Sequence, residues 1–204
     1  MRRLLRNKAF LLTAALSTSL IFVLSGCPKG GEGGKGAGTT GGSAAGSAMT
    51  QTVKKKIDVE FFVMSQCPYG VQVLNGVGPV LPKLGGDINF KVNYIGRMQG
   101  DKPTSMHGQA EVDGDRISLC AIKHYGQGYK YMDMLDCMNK NMRAIPGNWE
   151  GCAKEAKLDV AKLKACYDGP EGAELVKASF ATAKQRGSSG STTILINKKK
   201  YSGK

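Results

Sequence analysis

Cysteine is the residue type in this 204-residue chain best suited to chemistry, and the spacing of its six copies divides them into groups. Cys120, Cys137, Cys152 and Cys166 recur at wide, near-even intervals. That spacing is too open for the paired C-x2-C elements of a zinc site, so disulfides are the expected use. Four cysteines allow three pairings. The nested one, Cys120–Cys166 with Cys137–Cys152, is expected because it would clamp consecutive antiparallel helices, each bridge stabilising by about 2–4 kcal/mol. Cys67 stands apart. It follows a β-rich run, Ile57 to Met64, and precedes apolar residues at helical spacing, Val71, Leu74, Val77, Leu81 and Leu84. A sulfur at a strand-to-helix junction can face unsatisfied N–H groups and the positive end of the helix dipole, both of which favour thiolate. Pro68 suits the first helical position, where its missing N–H costs nothing. The expectation is an exposed nucleophile, Cys67, with Pro68, Tyr69 and Gly70 around it. The competing reading is a small buried core residue.

Met64, Cys67, Met98, Met106 and His107 could supply soft ligands for Cu(I). No M-x-x-M or H-x-C spacing supports that use, and Met64 can equally be core while His107 packs on or caps a helix. No metal and no cofactor is therefore expected.

The elements that must position Cys67 are legible in outline. Ile88 to Ile95 alternates cleanly as a second strand, Thr192 to Asn197 reads as a third, Lys198–Lys200 as a basic turn, and Tyr201 as the start of a fourth. Gly76, Gly78, Pro79 and Pro82 must break the helix after Cys67. From Ser105 to about Gly187 short helices are expected over Arg116–Tyr125, Tyr129–Asn141, Trp149–Lys157, Val160–Tyr167 and Ala173–Arg186, with Asp159 as the N-cap of the fourth. A β-α-β unit, a helical insert and a β-hairpin imply an α/β domain over about residues 54–204, with the insert at about 105–187.

Residues 28–52 are Gly, Ala, Ser and Thr with a few Lys and no apolar periodicity, and read as a flexible leash with an end-to-end distance of roughly 25–30 Å. Before it, Arg2, Arg3, Arg6 and Lys8 lead an apolar stretch, Ala9 to Val23, too short and too polar to span a bilayer comfortably. The formal net charge is +13. No arginine–aromatic cluster or basic helical stripe accompanies it, so nucleic acid is not an expected partner. Attraction to an anionic membrane or to acidic partners is the milder inference.

Three resemblances add to this reading. Leu24-Ser25-Gly26-Cys27 resembles the lipobox of bacterial lipoproteins, which implies a signal peptide over 1–26 and a lipid, palmitate included, on Cys27 at the head of a tether over 27–53. Several acyl chains anchor stably where one does not. The implied location is the cell envelope, at the periplasmic side of the outer membrane where there are two membranes. Removing Cys27 leaves an odd number of cysteines, and hence one thiol without an intramolecular partner. A strand followed by Ser65-Gln66-Cys67-Pro68-Tyr69-Gly70 resembles the active-site turn of the thioredoxin superfamily, DsbA-like domains included. Within it, His107, Gly108, Glu111 and Cys120 are similar to the C-Q-H-G-x2-E-C-x2-N-x4-C motif of gamma-interferon-inducible lysosomal thiol reductases, with departures at Ser105, Met106, Val112 and Asp115.

The resemblance implies a thioredoxin-like fold with a disulfide-containing helical insert, and thiol–disulfide exchange with envelope protein thiols or disulfides. Three departures qualify it. Gly70 stands where a resolving cysteine is needed to release a mixed disulfide. Thr192 stands where the superfamily has a cis-proline, and a cis peptide before a non-proline is costly, so a trans loop of different shape is expected. The chain reaches Lys204 just after the last hairpin, so the family's terminal helix is expected to be missing and apolar surface exposed or covered by a partner. Two functions fit: monothiol exchange or isomerisation through Cys67, or a degenerate thioredoxin-like binding or scaffold module for an unidentified partner protein.

Overall fold

The structure is a computed structural model, and it describes residues 55–203. The expected signal peptide, Cys27 and the expected tether lie outside the described residues. Strand β1 (Ile57–Val63) pairs in parallel with β2 (Ile88–Tyr94), in register from Ile57 opposite Ile88 to Val63 opposite Tyr94. On its other side β1 runs antiparallel to β5 (Thr193–Ile196), which turns into β6 (Lys199–Lys200); the sheet order is β2-β1-β5-β6. The central position of β1 explains its composition. Phe61, Phe62 and Val63 are consecutive and all buried, because both faces of an inner strand are covered. In β2 the alternation is clean: Ile88, Phe90, Val92 and Tyr94 are buried, and Asn89 and Lys91 are exposed.

The β1–β2 crossover holds α1 (Pro68–Val77) and the short α2 (Leu81–Leu84). Gly78 caps α1 by donating its N–H to the Leu74 carbonyl at 3.0 Å, and Pro79 cannot continue the helix. Beyond β2 a hairpin that sequence patterning did not predict, β3 (Arg97–Gln99) with β4 (Lys102–Thr104), leads to the insert. Strands of three residues are too short to show a period. The insert comprises α3 (Gln109–Tyr125), α4 (Tyr131–Asn139), α5 (Trp149–Glu155), α6 (Val160–Asp168) and α7 (Pro170–Gln185). Asp159 accepts the N–H of Lys162 at 3.0 Å and caps α6 as expected.

Two boundaries differ from expectation for identifiable reasons. Helix α3 begins at Gln109 rather than Arg116, because Glu111 and Asp115 lie on its buried face and hide the apolar pattern there. The last hairpin turns at Asn197 and Lys198, both with positive φ, so the strand resumes at Lys199 rather than at Tyr201. Two consecutive left-handed residues make the primed turn that suits a two-residue hairpin loop. No helix follows β6 among the described residues, and none of their helices is long and apolar enough to cross a membrane.

The disulfides are Cys120–Cys166, joining α3 to α6, and Cys137–Cys152, joining α4 to α5. The pairing is the nested one. Only the inner bridge joins consecutive helices; the outer one spans 46 residues and ties the insert's first helix to its fourth.

Candidate functional site

Cys67 is the N-cap of α1, in extended conformation, with Pro68 at the first helical position. Its own N–H is taken by the Met64 carbonyl at 3.1 Å, and its carbonyl accepts the N–H of Val71 at 3.0 Å. Pro68 has no N–H, so helix geometry leaves those of Tyr69 and Gly70 as the open donors of this terminus. Among the described cysteines it is the free thiol. Its exposure corrects the expectation. At 9% the residue is buried, packed in a small cluster with Phe62, Met64, Ile95, Ala183 and Leu195. The thiol is covered rather than open, by side chains of β1, α7 and β5, and the turn before it is drawn down onto α3.

Several bonds draw it down. Ser65 N–H donates to Asp115 Oδ1 at 3.0 Å and Gln66 N–H to Glu111 Oε2 at 3.2 Å. Ser65 Oγ donates to the Glu111 carbonyl at 3.1 Å, and Gln66 Nε2 to the Ile145 carbonyl at 2.7 Å. Gly114 permits the approach. A Cβ there would stand 2.6 Å from Ser65 Oγ and 2.4 Å from Ile145 Cγ2, inside van der Waals contact. Glu111 and Asp115 are both fully buried. Burial pushes the Asp115 carboxyl well above the usual carboxylate range; the Ser65 hydrogen bond opposes this, and the nearby Glu111 adds to the rise. Asp115 Oδ2 has no hydrogen-bond partner. Behind it, burial pushes the Tyr94 hydroxyl up as well.

On the far side of Cys67 lies the loop carrying Thr192. The Ser191–Thr192 peptide is cis, which corrects the expected trans loop. Contacts with the sheet hold this loop: Ser191 Oγ accepts the Met64 N–H at 3.3 Å, and Thr193 Oγ1 donates to the Gly190 carbonyl at 2.9 Å. The same loop closes the space at Gly70. A Cβ there would stand 2.8 Å from Ser191 Oγ and 2.9 Å from the Met64 carbonyl oxygen. The position of a resolving cysteine is thus filled by neighbouring atoms. Next to the loop runs an open groove of about 760 Å³ lined by Tyr69, Gln72, Val73, Val77, Ser191 and Thr192. Tyr69 is 70% exposed at its rim.

The residues considered for copper do not share one environment. Met64 is buried in the small cluster, Met98 is partly buried against the main core, and Met106 is 74% exposed. His107 is bonded through its ring to the Glu111 side chain and does not cap α3, whose N-cap is Gly108. Among the described residues the one His/Cys/acid grouping is His124, Cys166 and Glu171, and Cys166 is already in a disulfide. Sequence patterning placed Ser65 and Gln66 in the turn without giving them a role, and missed Asp115 and Ser191 as parts of the site. One signal was present: acids at i and i+4, Glu111 and Asp115, on the face of α3 that also carries Ser118.

The strand order and the crossover into α1 decide the fold. The domain is thioredoxin-like. The family model for gamma interferon inducible lysosomal thiol reductase (GILT) matches residues 58–156. A gamma-interferon-inducible lysosomal thiol reductase-like protein of Anopheles gambiae is 26% identical over 150 residues, covering 64% of this chain; the match spans 62% of that relative's length. Among solved structures, BdbD from Bacillus subtilis aligns with a TM-score of 0.54 at 18% identity, over 72% of this chain and 79% of that one. MdbA of Corynebacterium diphtheriae, a thiol-disulfide oxidoreductase, aligns at 0.53 and 15% over 76% and 81%. The oxidoreductase DsbA of Xylella fastidiosa aligns at 0.51 and 15% over 71% and 75%. This thioredoxin-like domain therefore has the fold of thiol oxidoreductases and resembles the GILT proteins across its first strands and half of its insert.

Proposed function

We propose that this protein is a thiol–disulfide exchange protein of monothiol type, acting through Cys67 and held at a bacterial envelope membrane by lipid on Cys27. The observation that carries the reading is a single free thiol at the N-terminus of α1, with the other described cysteines engaged in disulfides. The Cys67 thiolate attacks one sulfur of a substrate disulfide. A Cys67–substrate disulfide forms, the substrate bond breaks, and the second substrate sulfur leaves as thiolate. Gly70 supplies no resolving sulfur, so release falls to the substrate's own second cysteine or to an external small thiol. With the substrate's own thiol the outcome is isomerisation, which needs no net oxidant or reductant. The groove between Tyr69 and the Ser191–Thr192 loop offers room for an extended polypeptide along α1. Membrane attachment, the periplasmic side of an outer membrane and envelope proteins as substrates follow from the lipobox-like segment, Leu24 to Cys27.

The test is incubation of the full chain with oxidised glutathione, followed by mass spectrometry of the intact, non-reduced protein. One glutathione adduct, mapped to Cys67, reversed by dithiothreitol and lost in Cys67→Ser, is expected. The burial of Cys67 favours one other reading, a thioredoxin-like binding or scaffold module with decayed chemistry. A chain that forms no adduct, and whose Cys67→Ser variant retains its envelope partners, would establish that second reading in place of the first.

A further inference from the structure

Glu111 is bonded to the residue before a sulfur that must ionise, and that poses an electrostatic problem. Glu111 is 0% exposed, and both of its oxygens are occupied. Oε2 lies 2.6 Å from His107 Nδ1 and accepts the N–H of Gln66, the residue before Cys67. Oε1 accepts the His107 N–H at 3.3 Å and the Ser105 hydroxyl. A negative charge held on the residue before Cys67 opposes formation of a second one on its sulfur. The other titratable groups facing this cluster offer no compensation. Asp115 lies one turn further along α3, and Tyr94 and Tyr131 lie behind it. The basic group bonded to Glu111 is His107, whose side chain is 39% exposed against 0% for its partner.

We infer that His107 and Glu111 form the positioning pair of the Cys67 turn. The carboxylate holds the backbone through Gln66, and the imidazolium cancels the carboxylate charge so that a thiolate can form beside it. The pair acts through the turn, without contact to substrate. It rests on the reading of Cys67 as a nucleophile and goes further, since it makes thiolate formation depend on the charge that His107 sets against Glu111.

Iodoacetamide alkylation of Cys67 in the full chain tests this, because it reads the thiolate whether or not the protein exchanges disulfides. His107→Gln keeps a side chain able to hydrogen-bond Glu111 but removes the charge. At one fixed pH it should slow alkylation about tenfold, the equivalent of one pH unit in thiolate population. Adding Glu111→Gln removes the uncompensated charge and should restore most of the rate. A merely structural role predicts the reverse, since a second change at a buried residue would not repair the first. Wild-type alkylation in His107→Gln, or a double variant no faster than the single, overturns the inference. Both outcomes are read on protein with native circular dichroism, and partly exposed His107 supplies a decisive variant on its own. Ready alkylation with no glutathione adduct would overturn disulfide exchange and leave the pair standing.

Discussion

The helical insert and the Cys67 turn are held by opposite means. The insert is stapled: Cys120–Cys166 and Cys137–Cys152 close loops spanning 46 and 15 residues, and their effect lies largely in what they deny the unfolded chain. The turn is clamped by hydrogen bonds from Ser65 and Gln66 to acceptors on α3 and at Ile145, and by the close approach that Gly114 and Gly70 allow. A staple fixes which helices are neighbours and tolerates local adjustment. A clamp of side-chain acceptors on backbone N–H groups fixes geometry at the scale of a bond, and it sets two buried acidic side chains against the turn that carries Cys67.

The contrast can be broken most strongly at the staple. Replacing Cys120 and Cys166 together by Ser should cost about 4 kcal/mol, and the shorter Cys137–Cys152 pair about 3 kcal/mol, on the chain-entropy model. Urea denaturation under non-reducing conditions reads both, and equal losses from the two pairs would contradict the loop-length account. The clamp is expected to give smaller effects. Gly70→Ala places a methyl against Ser191 Oγ and the Met64 carbonyl and should cost about 1–3 kcal/mol. Ser191→Ala in the same chain should recover part of that loss, since one of the two obstructing atoms is then gone; no recovery would mean that the Met64 carbonyl alone sets the limit.

The smallest change at any single pH, and the most specific in form, is expected from Asp115→Asn. Asn keeps an oxygen acceptor for the Ser65 N–H. Below about pH 4 folded and unfolded Asp115 both hold a proton. Above that the unfolded chain releases it first, because burial raises the folded value. The folded state then binds more protons, and stability falls with rising pH until the folded carboxyl ionises. The Asn variant should lack this fall. Melting temperatures that decline identically with pH in both proteins would remove Asp115 as its source.

Local sequence determined much of this protein. The β-rich run into Cys67, Pro68 at the first helical position, the alternation in β2 and the Asp159 cap are patterns of neighbouring residues, and each depends on local geometry. The nested disulfides came close behind, since four cysteines leave few pairings. Tertiary structure alone decided how Cys67 is used. Its burial, the cis loop at Thr192 and the clamp from α3 join residues some 45 to 127 positions apart. The same long-range packing put Glu111 and Asp115 on a buried face, where a sequence pattern reads acids as solvent. Sequence could place a sulfur at a helix terminus through the chain's own geometry; whether charge nearby favours or opposes its ionisation depends on which distant side chains fold against it.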